Sequence, residues 1–229
     1  MGEQVSISIG TEQFDAYLAT PSSAPRGGIV VIQEIFGVNA DIKATADWLA
    51  QEGYLALAPD LFWRQARNVE LNADKDADVQ KAFALMTGYD GDQGVSDIQA
   101  AIDYLRKAGC AKVGTIGFCL GGRMVYLAAC RTNADAHASY YGVGIQDLLG
   151  EASNITAPTL IHIAGKDAFV PQEAQTAIAD GLAGHGEAEV HIYDGQDHAF
   201  ARHNGMHCDA EATTLAHGRT LTLFAEALG

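Results

Sequence analysis

Short apolar runs alternate along the chain with longer stretches whose apolar positions return every three to four residues. Residues 5–9 alternate apolar and polar, and 14–18 do so again after a Gly10-Thr11 turn, which predicts an opening β-hairpin. Residues 28–32 are apolar throughout, as expected of a strand buried on both faces. A helix is predicted over 40–51, stopped by Gly53, and a strand over 54–58, closed by Pro59. The same reading gives helices at 76–86 and 95–107, a strand at 112–118 and a helix at 121–130. Strands at 136–141 and 159–164, a helix at 172–183, a strand at 188–193 and a helix at 210–228 complete the series.

Strands alternating with helices in this way predict an α/β fold with a mostly parallel central sheet and helices on both faces. No internal repeat or linker-like shift divides the chain, so residues 1–229 are read as one domain. The charge-rich stretch 61–94 is a candidate cap-like excursion.

Charge then narrows the partners. Lys and Arg number 14 against 29 Asp and Glu, a net charge of −15, which repels nucleic-acid backbones and anionic membranes. No basic, apolar leader opens the chain and no apolar run is long enough to span a bilayer. The expected setting is the cytoplasm, the expected partner a small molecule, and the expected state a monomer or homodimer. The four cysteines form no C-x-x-C pair, and Cys110 and Cys130 read as buried apolar residues. His203, His207 and Cys208 have ligand-like spacing, but Gly205 interrupts them and no second cluster completes a site, so no metal is expected.

In an open parallel sheet, chemistry collects at the carboxyl ends of the strands. There the chain carries Glu34, Cys119, Asp167 and His198, each directly after a predicted strand. Gly117-Phe118-Cys119-Leu120-Gly121 has the nucleophile-elbow form with Cys in the place of Ser, between a buried strand and a helix that opens on glycines. Taken alone it also reads as a structural cysteine in a tight turn. Cys119, Asp167 and His198 follow the order nucleophile, acid, histidine that triads take on such sheets. A thiol needs an imidazole to take and return its proton, and the imidazole needs a carboxylate to fix its tautomer.

These residues resemble the dienelactone hydrolase family of α/β-hydrolases over nearly the whole chain. Its most specific pieces are Gln33-Glu34-Ile35-Phe36-Gly37, Gly117-Phe118-Cys119-Leu120-Gly121-Gly122 and Asp197-His198-Ala199-Phe200. Gly94-Val95-Ser96-Asp97 and Tyr140-Tyr141-Gly142 agree with it. The resemblance implies Cys119 as nucleophile, His198 as acid–base and Asp167 as its orienting group. It further implies that Glu34 hydrogen-bonds the resting thiol, that the amides of Ile35 and Leu120 form the oxyanion hole, and that no cofactor is required. Phe36 and Tyr140 fall among the expected substrate contacts.

Family members acting on dienelactone hold its carboxylate with two arginines. Arg202 fills one position, whereas Val79 replaces the other and Phe83 replaces a tyrosine one turn later. Losing a charged partner weakens a desolvated carboxylate by about 2–5 kcal/mol. The expectation is therefore an ester or lactone hydrolase acting on neutral aryl or short-acyl esters, with dienelactone-like acids second and phosphotriesters a further variant. Arg64 and Arg67 are candidate replacements for the missing cation. A non-catalytic binding protein and a redox sensor using Cys119 are the readings from other classes.

Overall fold

The computed structural model describes residues 2–203 and 205–229. Eight strands form one sheet: β1 (Glu3–Ile9), β2 (Glu12–Ala19), β3 (Gly28–Ile32), β4 (Leu55–Pro59), β5 (Val113–Phe118), β6 (Ala136–Tyr140), β7 (Thr159–Ala164) and β8 (Ala188–Tyr193). Their spatial order is β1-β2-β4-β3-β5-β6-β7-β8. The opening hairpin is antiparallel and β2 pairs antiparallel with β4; every later pairing is parallel. The expected α/β-hydrolase fold is therefore present, with a mixed, mostly parallel sheet.

The helices are α1 (Ala40–Gln51), α2 (Asp76–Thr87), α3 (Gly91–Lys107), α4 (Leu120–Arg131), α5 (Gln172–Gly181) and α6 (Ala210–Leu228). Caps fix several starts. The side chain of Asn39 accepts the Ile42 amide, that of Asp90 the amides of Asp92 and Gln93, and that of Asp209 the Ala212 amide. The Asp90 cap starts α3 four residues earlier than the apolar periodicity does. A 3-10 helix over Ile145–Asn154 follows β6 and has no counterpart in the sequence reading.

One face of the sheet is covered by α1 and α6, which meet where Trp48 stacks on His217 at 4.3 Å between ring centroids. α3 and α4 cover the other face and pack on each other. β3, β5 and β7 are buried along their whole length, which is why β3 reads as an unbroken apolar run and why Thr115 and His162 in the other two are hydrogen-bonded to buried side chains.

Residues 61–75 fold back onto the segment after β3. Leu71 N–H donates to Phe36 O at 2.9 Å, and Gly37 bridges to Glu70. Gly37 has φ +77°, and a Cβ there would lie 1.9 Å from Val69 O, so this approach requires glycine. Asp97 ties the excursion to α3: its fully buried carboxylate accepts from Trp63 Nε1 at 3.0 Å and Arg64 Nη2 at 3.0 Å.

Candidate active site

Cys119 sits between β5 and α4 with φ +56° and ψ −115°. A non-glycine residue in that region is strained, and the turn holds only because its surroundings over-determine it. Cys119 N–H donates to Tyr140 O at 3.0 Å, and Ser139 Oγ donates to Gly122 O at 2.8 Å, which ties the elbow to β6. α4 then begins against β3, where a Cβ on Gly121 would lie 2.3 Å from Ile32 O. The glycines of this segment thus permit backbone contact between helix and sheet.

β7 delivers Asp167 and β8 delivers His198. Asp167 Oδ2 accepts from His198 Nδ1 at 2.6 Å, and its Oδ1 accepts the Phe169 amide at 2.8 Å, with the carboxylate wholly buried. This fixes the imidazole tautomer, with Nδ1 committed to Asp167, and leaves Nε2 without a hydrogen-bond partner among the described residues. Burial alone would lower the His198 pKa, but the bond to Asp167 and the interaction with nearby Cys119 outweigh it and hold the group up at about 10. The ring lies between Tyr141 and Phe169, with centroids at 5.1 and 4.9 Å.

Glu34 is 2% exposed, and both its oxygens are taken by Arg202: Nε donates to Oε2 at 2.8 Å and Nη2 to Oε1 at 3.1 Å. The carboxylate expected on the thiol is thus paired with the arginine expected on the substrate. The Arg202 guanidinium also lies 5.2 Å from the Phe36 ring centroid. Among the described residues, neither the Ile35 nor the Leu120 amide is taken by a protein acceptor.

A cavity of about 450 Å³ opens over Cys119 and Leu120, walled by Met86, Met124, Val143 and Leu148 among others. Val79 and Phe83 do not line it, and Phe83 is turned outward on α2, 41% exposed. Tyr140 requires a correction. Its side chain is fully buried toward α6 with its hydroxyl 2.7 Å from Thr220 Oγ1, so it presents no surface to a substrate. Its neighbour Tyr141 is buried as well, but packs on the other side, with its ring 5.1 Å from that of His198. Tyr141 lies just past the end of β6 with φ +38°, and that left-handed turn sends its side chain toward His198 while Tyr140 points to α6. Burial, then Glu34, raises the Tyr141 pKa well above the usual phenol range, so it is a neutral hydroxyl. Tyr141 and Ala199, next to His198, have φ of +38° and +64°, which brings backbone strain together around Cys119 and His198.

Neither candidate cation from the excursion reaches the cavity. Arg64 is bound to Asp97, and Arg67 donates to Gln13 O at 3.0 Å. His207 lies 3.6 Å from Asp197, and no group of three or more potential metal ligands is gathered among the described residues.

A family model described as the dienelactone hydrolase family matches residues 14–228. The chain belongs to the dienelactone hydrolase family. It is 43% identical to a putative carboxymethylenebutenolidase of Azospirillum brasilense, covering 98% of this chain and 99% of the relative. Identity to the carboxymethylenebutenolidase of Pseudomonas putida is 37%, covering 97% and 96%. Among solved structures, a putative dienelactone hydrolase from Klebsiella pneumoniae superposes with TM-score 0.88 at 30% identity, over 99% of this chain and 98% of that one. A dienelactone hydrolase-like promiscuous phosphotriesterase from metagenomic libraries superposes with TM-score 0.79 at 25% identity, over 100% and 99%. As a member of this family the protein is a hydrolase acting on ester bonds, with esters and lactones as its general class of substrate. No helix among the described residues is long and apolar enough to cross a membrane.

Proposed function

We propose that this hydrolase cleaves small carboxylic esters and lactones through a Cys119–His198–Asp167 triad and a covalent thioacyl-enzyme. The observation that carries the reading is the buried Asp167 carboxylate bonded to His198 Nδ1 at 2.6 Å, on the same sheet whose β5 leads into Cys119 in its strained turn before α4. Cys119 Sγ attacks the carbonyl carbon as its proton passes to His198 Nε2. A carbon–sulfur bond forms, and the carbonyl π electrons move to oxygen, where the amides of Ile35 and Leu120 receive the charge. Each such donor contributes about 10²–10³ in rate.

The carbon–oxygen bond to the leaving group then breaks, and Nε2–H protonates the departing oxygen. Water attacks the thioester, giving a proton to Nε2. The carbon–sulfur bond breaks and sulfur takes the proton back. Asp167 stabilises the imidazolium in both halves. Glu34 controls the thiol through Arg202: while Arg202 holds both of its oxygens, Cys119 is left to His198.

The apolar wall of the cavity suits aryl or short-acyl groups. A phosphotriester is the second substrate type, favoured by the likeness to the metagenomic phosphotriesterase. The four cysteines are all free, which fits a reducing cytoplasm. The test is initial rates on a neutral aryl ester, a carboxylate-bearing enol lactone and a neutral aryl phosphotriester, with Cys119→Ala as the blank. A rate on the ester or lactone that vanishes in Cys119→Ala, with an acyl adduct on Cys119 by mass spectrometry, is expected. Equal rates in the two proteins would overturn the triad assignment.

A further inference from the structure

Of the eight arginines in the chain, Arg123 alone makes no hydrogen bond or ion pair through its side chain among the described residues. That is notable in a protein of net charge −15, where carboxylates outnumber cations two to one. Arg123 is half-buried, so water only partly compensates its charge. A guanidinium carries five donors in a rigid plane shaped for a carboxylate or phosphate, and those of Arg123 stand unpaired at the cavity wall, accessible to such a partner.

Its position gives the missing partner a place. Arg123 stands one turn after Cys119 on α4, about 6 Å along the axis, and the two line the same cavity. The other charges on that wall are already matched. Asp92 accepts from Arg131 at 2.6 Å, and Arg131 also binds Glu151. Asp90 caps α3 through the amides of Asp92 and Gln93. The guanidinium lies over Gly144, where any Cβ would come 2.6 Å from Nη1. Asp147 also borders Gly144 but forms no ion pair with Arg123. Between Arg123 and the nucleophile the wall is apolar, through Leu120, Met124 and Val143.

We infer that Arg123 is a specificity-determining residue that binds an oxyanion on the far end of the substrate. The substrate is then an ester whose acyl chain or alcohol ends in a carboxylate, or a similar anion, several bonds from the scissile carbonyl and joined to it by an apolar spacer. This rests on the hydrolase reading of the same cavity, and it replaces the neutral-substrate expectation drawn from Val79 and Phe83. The cation absent from α2 is supplied by α4, on a different wall.

The test compares two substrates that differ only in the distal charge: the mono-4-nitrophenyl ester of adipic acid, and the same compound with its free carboxyl methylated. The wild type is expected to favour the anionic ester in kcat/KM by about 10–100-fold, the scale of a charge-assisted bidentate contact. Arg123→Met should bring the ratio near one, mainly through KM, and Arg123→Lys should restore part of it. A ratio unchanged by Arg123→Met, or a wild type that prefers the methylated ester, overturns the assignment. Binding of monomethyl adipate is measured by calorimetry on the same proteins. Binding lost in Arg123→Met upholds the site even if Cys119→Ala shows that the hydrolase reading has failed. Equal binding in wild type and variant overturns the site whatever the rates.

Discussion

Replacing Arg202 with Met would leave the Glu34 carboxylate buried without a counter-charge. The side chain of Glu34 is 3% exposed and that of Arg202 16%, and the two are joined by bonds of 2.8 and 3.1 Å. Breaking a pair of this kind costs about 3–5 kcal/mol, because the remaining charge keeps its desolvation penalty and loses its compensation. For a chain of this size each kcal/mol moves Tm by about 2–4 °C, so the single variant should melt about 6–20 °C below wild type. Met also keeps much of the apolar contact with Phe36, so the loss reads mainly the charge. Denaturant unfolding of wild type, Arg202→Met, Glu34→Gln and the double variant gives the coupling directly. Glu34→Gln alone should be milder, since the Arg202 head can turn toward the solvated depression it lines with His203. The double variant should recover more than half of the Arg202→Met loss. A Tm within 2 °C (~0.5–1 kcal/mol) of wild type for Arg202→Met would refute the reasoning. So would a double variant no more stable than the single one.

Three further outcomes follow from groups whose environments are equally well defined. Asp167→Asn removes the charge that fixes the His198 tautomer and should lower kcat by about 10³–10⁴-fold. Because Asp167 helps raise His198 to about 10 and the neutral imidazole is the base, the rising limb of the wild-type pH–rate profile should lie near that value and move to lower pH in the variant. Asp60, buried under the 61–70 segment, has its carboxyl raised to about 6, first by burial. The folded protein therefore holds this proton more tightly than the unfolded chain, and the contribution to stability is present below pH 4 and lost as pH rises through 6. Equilibrium unfolding should show Asp60→Asn gaining about 2–3 kcal/mol on wild type between pH 4 and 8. His217 is pushed down to about 4 by burial against Trp48, so its contribution is present above pH 6.5 and lost as pH falls through 4. His217→Phe, which keeps an aromatic ring on Trp48, should make stability less steep in acid, as read from urea midpoints at pH 4 and 7.

The strands and helices whose apolar faces are continuous were legible to the residue: 28–32, 40–51, 159–164, 188–193 and 210–228 coincide with their elements. The 3-10 helix at Ile145–Asn154 was not, because ten residues interrupted by Gly150 carry too little period to separate from a loop. The order Cys119, Asp167, His198 could be read because each residue ends a recognisable strand. The pairing of Glu34 with Arg202 spans 168 residues, and no local pattern encodes which of two acceptors an arginine will choose. Tyr140 ends β6 and Tyr141 turns away from it at φ +38°, and an adjacent pair of tyrosines does not declare where the strand stops. Arg123 was open to inspection, since four residues after a nucleophile on a helix means the same face. What marks it out is the lack of any partner, and only the folded chain reveals that.

The φ of +56° at Cys119 also limits how the proposed nucleophile can change over evolutionary time. A side chain with a single γ atom can be carried at that angle, so cysteine and serine are interchangeable in shape if not in chemistry. A β-branched residue would drive its second γ substituent into the neighbouring backbone. Threonine is therefore closed to this lineage as an attacking group, although its hydroxyl is chemically adequate. Codons for Cys and Ser lie one base apart, so the fold leaves a short genetic path between thiol and alcohol catalysis, and bars the neighbouring one.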